Sequence, residues 1–223
     1  MALQRRNLVL AAAGALAGCA GPRGPAPIVA LPPPDGDDPD EAYAALTGEP
    51  FPVPVFAWRR LDPAHLRRDI VYEGKEPPGS IVIDPGTCQL THVGPGGRAR
   101  RYGVGVGREG FAWVGTAEIR ARREWPDWYP TAEMLGRRPD IRALLSPLRS
   151  GPAIPGGPDN PLGARALYLW QGDRDTLYRI HGTTEPETIG GPVSSGCIRM
   201  INQDVIDLYA RVSTGTRVTV LAA

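Results

Sequence analysis

Past residue 79 the apolar residues come in runs of strand length, each closed off by turn residues, and no other feature constrains the fold as much. Ile81, Val82 and Ile83 lead into Asp84-Pro85-Gly86, a turn, and residues 88–93 supply the returning strand of a hairpin. Residues 101–106 alternate through Tyr102, Val104 and Val106, which puts an apolar stripe on one face. Residues 111–119, 166–170, 177–180 and 217–221 are further extended candidates, with Gln171-Gly172-Asp173 as the turn between two of them. Helical signal is sparse. Residues 131–135 and 141–145 are short pieces. The best helix runs over 202–212, where Asn202 can cap and Val205, Leu208, Tyr209 and Val212 share a face. The pattern predicts a mainly β domain, sandwich-like or barrel-like, with a few short helices over residues 79–223.

The chain upstream is of another kind. The sequence holds 28 glycines and 25 prolines in 223 residues, and ten of them crowd into residues 21–39. With only a short apolar patch at 28–31, that stretch cannot bury a core, so residues 19–40 read as a tether. Residues 41–78 form an N-terminal extension. A short helix fits 40–46, an extended segment fits 51–60, and a second helix fits 61–72, opening at Asp62-Pro63. Sequence alone leaves this extension either capping the domain or hanging from it.

Residues 1–18 have the layout of a secretory signal. Arg5 and Arg6 precede an apolar run over 8–16, and Leu16-Ala17-Gly18-Cys19 closes it with small residues. The run is too short for a permanent membrane helix. The closing tetrad resembles a lipoprotein box. That resemblance implies a lipidated Cys19 as the first mature residue, and hence a membrane partner through the lipid anchor. Residue 20 is Ala rather than Asp, which by the same resemblance points to the outer membrane rather than the inner and to a domain on the periplasmic face. Asn7 and Leu8 after the arginine pair admit twin-arginine export beside the general route.

The bulk chemistry narrows the function classes. Net charge is +1, so no global field favours nucleic acid. Three cysteines, Cys19, Cys88 and Cys197, are too few for a disulfide scaffold and form no CxxC pair. His65, His92 and His181 are scattered and fall in no zinc-ligand spacing, so neither a metal nor a cofactor is expected.

The informative stretch contains His181-Gly182-Thr183, Ile189-Gly190, and Ser194-Ser195-Gly196-Cys197-Ile198-Arg199-Met200. A thiol becomes a good nucleophile when a base or positive charge lowers its pKa, and one Cys with one His can form that pair. The two lie sixteen positions apart, enough for a strand, a loop and a return. Gly196 lets backbone N–H groups at Gly196 and Cys197 approach a substrate oxyanion. On an extended segment Arg199 shares a face with Cys197 and can hold a carboxylate or support a thiolate. Each residue also has a plain reading: a buried small Cys, a structural His, an Arg in an ion pair.

The string from His181 to Met200 resembles the signature of the YkuD-type L,D-transpeptidases. The resemblance extends upstream through Gly157, Asn160-Pro161-Leu162-Gly163, residues 166–169, and Pro126, Trp128 and Pro130, and covers roughly residues 79–221. Two departures are visible: Trp113-Val114-Gly115 lacks the proline common before the mid-domain strand, and Ser195 stands where some relatives carry His.

The resemblance implies a β-sandwich-like catalytic domain acting on peptidoglycan stem peptides as donor and acceptor. Cys197 would attack the L-centre carbonyl of a stem tetrapeptide, with His181 as base and Gly182 orienting the imidazole through its backbone carbonyl. Gly196 and Cys197 would form the oxyanion hole, and Thr183, Ser194, Ser195 and Arg199 would contact substrate. The thioester would pass to an amine, cross-linking the wall. Alternatives on the same acyl-enzyme are hydrolysis, as a carboxypeptidase or endopeptidase, and attachment of a lipoprotein to the wall. A catalytically silent envelope-binding module is the reading from another class.

Overall fold

The computed structural model describes residues 37–107, 114–137, 139–193 and 197–222. The expected signal peptide, Cys19, residues 19–36 of the expected tether, residues 111–113, and Ser194, Ser195 and Gly196 lie outside them.

The expected hairpin forms from β2 (Ile81–Asp84) and β3 (Gln89–Val93). The Asp84 carboxylate accepts from the N–H groups of Gly86 and Thr87, which fixes the turn. The run over 101–106 divides in two, β4 (Arg98–Gly103) and β5 (Gly105–Gly107). Next come β6 (Gly115–Glu124), the small hairpin of β7 (Ser146–Leu148) and β8 (Gly151–Ala153), then β9 (Arg165–Gln171) and β10 (Arg174–His181). Two very short strands, β11 (Pro192–Val193) and β12 (Ile198–Arg199), precede β13 (Arg217–Val220). With β1 (Arg68–Val71), eleven of these strands join one sheet in the order β1-β4-β3-β2-β13-β6-β9-β10-β12-β5-β11.

That order shows how the sheet closes. Only Val104 separates β4 from β5, yet β4 lies next to one end of the sheet and β5 next to the other. Val104 donates its N–H to Cys88 O at 2.9 Å, and its carbonyl accepts from Gly190 N at 3.0 Å. The sheet therefore folds over on itself around one core. Ile81, Ile83, Leu90 and Tyr102 come from one half, and Leu167, Leu169, Ile180 and Ile198 from the other. Helix α3 (Asn202–Arg211) adds Val205 and Leu208, and Val212 follows it into the core. Leu208 is fully enclosed, so truncating it to Ala costs about 2–5 kcal/mol.

The fold is mainly β with few short helices, as expected. The helices differ in detail. Near residues 131–145 the chain forms α2 (Ala132–Arg137), where the Thr131 hydroxyl accepts from Met134 N, and a 3-10 segment, Pro139–Leu144. The helix expected over 61–72 is one 3-10 turn, Pro63–His65, capped by the Asp62 carboxylate on Ala64 N. The chain then leaves as β1, paired antiparallel with β4 from Arg68↔Arg101 to Val71↔Arg98. Tertiary pairing of β-branched Ile70 and Val71 overrides the local helix signal.

Residues 37–78 pack onto the domain. The short α1 (Pro39–Ala42) leads to Tyr43, which is buried with Ile189 and Ile201 under Phe56, Trp58, Leu61 and Leu66. Val53 is buried with Trp125 and Ala164. The start of α3 stitches this extension down: Gln203 donates to the carbonyls of Ala44 and Pro54, and buried Asp204 accepts from the Tyr43 hydroxyl. Beneath lies a cluster of paired charges. Arg67 meets Asp37 at 2.8 Å and Asp204 at 3.5 Å, while Arg100 donates to Asp37, Asp69 and Asp207.

Candidate active site

His181 ends β10, and β12 lies beside it in parallel register, Ile180 opposite Ile198 and His181 opposite Arg199. Met200 N donates to His181 O at 2.8 Å, so the pairing runs one step past the strand. On its other side β12 pairs with β5, and Gly107 N donates to Cys197 O at 3.2 Å. Partners opposite each other in register point to the same face, and so do residues two apart. His181, Arg199 and Cys197 thus belong to one face, with Ile180 and Ile198 turned into the core. Two residues of strand amount to about 6.6 Å, a gap that two side chains can span. Cys197 is half-buried, whereas Cys88 is buried, with its thiol pKa raised by burial and by Asp84.

The imidazole is held at one nitrogen. His181 Nδ1 donates to Gly182 O at 2.6 Å, which leaves Nε2 with the lone pair. Burial pushes the His181 pKa down to about 4; the Gly182 bond opposes this, and Arg199 and Arg179 add to it. The ring is therefore neutral at ordinary pH.

The turn after His181 is one of the tightest in the molecule. A Cβ on Gly182 would stand 2.1 Å from Asn202 Oδ1 and 3.0 Å from Ala164 N. Gly163 has φ +61°, where only glycine is comfortable, and a Cβ there would stand 2.3 Å from the same Oδ1. Asn160, also in the upstream run, is buried. Its amide donates to the carbonyls of Pro126, Ile154 and Pro155, and its Oδ1 accepts from Leu162 N. The upstream run thus braces the loop behind His181.

Thr183 is buried, and its hydroxyl accepts from Glu185 N at 3.0 Å. Glu185 in turn accepts from Arg199 Nη1 at 2.5 Å. Residue pattern alone did not single out Glu185, because an isolated acid in a turn reads as solvated surface. Asn202, expected as a helix cap, makes no capping bond. The cap position is Ile201, and the Asn202 side chain is spent on Ala164 N and Thr183 O. The expected contributions of Ser194, Ser195 and Gly196 fall outside the described residues. Among the described residues, no group of three or more His, Cys, Asp or Glu side chains is placed to hold a metal.

Comparison with known proteins bears on this arrangement. The YkuD family model, an L,D-transpeptidase catalytic domain, matches residues 78–220. YbiS of Escherichia coli K12, described as a probable L,D-transpeptidase, is 39% identical over 155 residues, 67% of this chain and 45% of that protein. ErfK/SrfK of the same organism, described likewise, is 35% identical over 63% of this chain and 43% of its own length. The chain thus spans less than half the length of these two relatives. Among solved structures, a Brucella melitensis protein described as a probable carnitine operon oxidoreductase is 48% identical. It covers 72% of this chain and 96% of its own, with a TM-score of 0.48. Family membership rests on the family model. The chain belongs to the YkuD family of L,D-transpeptidase catalytic domains.

Proposed function

We propose that the chain is a cysteine acyltransferase that acts on peptidoglycan stem peptides. Cys197 Sγ attacks the carbonyl at the L-centre of the diamino acid in a tetrapeptide donor. The thiol proton passes to His181 Nε2. An S–C bond forms, the C–N bond to the terminal D-Ala breaks, and the proton leaves with the departing amine. An amine on a second stem peptide then attacks the thioester, the same nitrogen of His181 takes its proton, and the thiol is regenerated. Backbone N–H groups at Gly196 and Cys197 hold the oxyanion. Arg199 and Thr183, with Ser194 and Ser195, contact the donor.

One observation carries the reading: the parallel β10–β12 register puts His181 and the Cys197 segment on one face, with Nδ1 committed to Gly182 O. Arg199, beside them, supports a thiolate or a substrate carboxylate. Water could resolve the same thioester, which would make the chain a carboxypeptidase or endopeptidase, and a lipoprotein amine could resolve it as attachment to the wall. The anchor at Cys19, a periplasmic setting and the outer membrane as destination belong to the same proposal, supported by the small-residue tetrad that ends at Cys19.

The test is incubation of the purified chain with tetrapeptide muropeptides, followed by product masses. The expected products are a dimer lighter than two monomers by one D-Ala and a thioester on the Cys197 peptide, both lost in Cys197→Ala. Release of D-Ala without dimer would make the chain a hydrolase. Turnover by Cys197→Ala would overturn the assignment.

A further inference from the structure

Asn202 is the first residue of α3, one past the cap position Ile201, and its side chain bonds outside the helix. Oδ1 accepts from Ala164 N at 3.0 Å, and Nδ2 donates to Thr183 O at 3.0 Å. One amide thus ties together the loop that leads into β9 and the loop that leaves β10. Helix α3 starts with no side-chain cap, forgoing a contribution of typically about 1 kcal/mol. A residue that breaks a local rule without local gain points to a role nearby.

The Gly182 carbonyl comes one peptide before the tied Thr183 carbonyl. Behind it, His181 O accepts from Met200 N, and Gly182 N donates to Arg165 O at 3.1 Å. Ahead of it, Thr183 O is held by Asn202. Gly182 O itself takes the proton of His181 Nδ1. Both flanking glycines lack a Cβ that would strike Asn202 Oδ1. Sequence and packing therefore converge on keeping this amide against the Gly182–Thr183 peptide.

The geometry points to Asn202 as the positioning residue for His181: by pinning the Thr183 carbonyl, one peptide beyond that of Gly182, it holds the Gly182 carbonyl on Nδ1 and so keeps Nε2 unprotonated. Imidazole in water favours the opposite tautomer, with the proton on Nε2, where it cannot take one from a thiol. The Gly182 carbonyl reverses that preference, and its orientation depends on Asn202. Asn202 touches no reacting atom. The inference rests on the Cys197–His181 pairing proposed above.

The experiment uses the full chain with 15N-labelled histidine. His65 and His92 signals are separated by comparison with His181→Gln. Wild type should show His181 protonated on Nδ1; an Nε2-protonated ring in wild type would overturn the inference without any variant at Asn202. Asn202→Asp keeps the shape and the acceptor for Ala164 N, but turns an oxygen toward Thr183 O. Were Asn202 only a helix starter, Asp would serve as well or better, since an acid in the first turn suits the helix dipole.

The expected result for Asn202→Asp and Asn202→Ala is a mixed His181 tautomer, slower alkylation of the Cys197 peptide by iodoacetamide, and kcat lower by about 10²-fold with KM little changed. A folded Asn202→Asp protein with the wild-type tautomer and alkylation–pH profile would overturn it. His181→Gln separates the two readings. If it leaves Cys197 alkylation unchanged, the Cys–His pairing itself fails. If it slows alkylation while Asn202→Asp does not, only the role of Asn202 fails.

Discussion

Arg67→Met should destabilise the protein by an amount that grows with pH. Arg67 reaches Asp204 at 3.5 Å, and the Asp204 side chain is wholly enclosed. Burial pushes the Asp204 carboxyl up to about 7 even with Arg67 present. Asp207 pushes the same way, while the Tyr43 hydroxyl and Arg100 pull it down. The sign follows from linkage. A folded-state pKa above the unfolded value of 3.8 gives stability that is complete below pH 4 and drains away as pH rises through 7. Removing Arg67 takes away the strongest downward pull, so the draining continues to higher pH in the variant.

At pH 5 Asp204 is protonated in both proteins. The cost is then chiefly the lost Arg67 bonds to Asp37, Ala42 O and Gln203 O, each worth about 0.5–3 kcal/mol. At pH 8.5 the variant holds either an unpaired buried carboxylate or a proton taken up against the solution pH. Breaking a buried pair costs about 3–5 kcal/mol. Urea unfolding followed by tryptophan fluorescence at pH 5, 7 and 8.5 measures both, provided the slope stays constant. A penalty that is flat across this range, or that shrinks as pH rises, would refute the account of Asp204.

Three further outcomes are expected. Because burial holds His181 near pKa 4, the acid limb of kcat/KM should lie well below 6.5, and the rate should be insensitive to His181 titration between about pH 6 and 8; a limb at 6.5 would contradict the buried neutral ring. Glu185→Gln releases Arg199 from a half-exposed ion pair worth about 0–1 kcal/mol, so KM for a carboxylate-bearing donor should fall by no more than about fivefold while Cys197 alkylation is unchanged; a rise in KM would mean that Glu185 positions Arg199 rather than competing for it. Cys19→Ala should move the protein out of the membrane fraction, and a variant that stays there with its signal cleaved would exclude the lipid anchor.

Legibility tracked how local each signal was. The hairpin of β2 and β3 and the strands β6, β9, β10 and β13 were readable because each holds a short apolar or alternating run near turn residues; burial alternates in β13 and over residues 115–120 of β6, whereas β2 and β9 are buried at nearly every position. Strands β11 and β12 are two residues long and exist only through pairing with β5 and β10. Nothing in their own residues announces a strand. The extension was ambiguous because Tyr43, Val53 and Trp58 are isolated between prolines and polar residues; they find partners in Ile189, Ile201, Trp125 and Ala164, far along the chain. At the site, the family string carried His181 and Cys197, which spacing alone did not bring together. Asn202 was misassigned because local rules favour a cap at a helix start, and those rules are blind to a loop that arrives from 38 residues upstream.

The crossing at Val104 has a consequence for how the molecule comes apart. One residue belongs to the path of both halves of the sheet, with its N–H given to Cys88 and its carbonyl to Gly190. Neither half can loosen its grip on this segment without pulling on the other, so partial opening that spares the reactive end is disfavoured. The amide protons of Val104 and Gly190 should then exchange with solvent only through global unfolding, in step with those of Ile81 and Ile180. Melting and inactivation would run as one transition, with the thiol and imidazole parting company when the last core strand does.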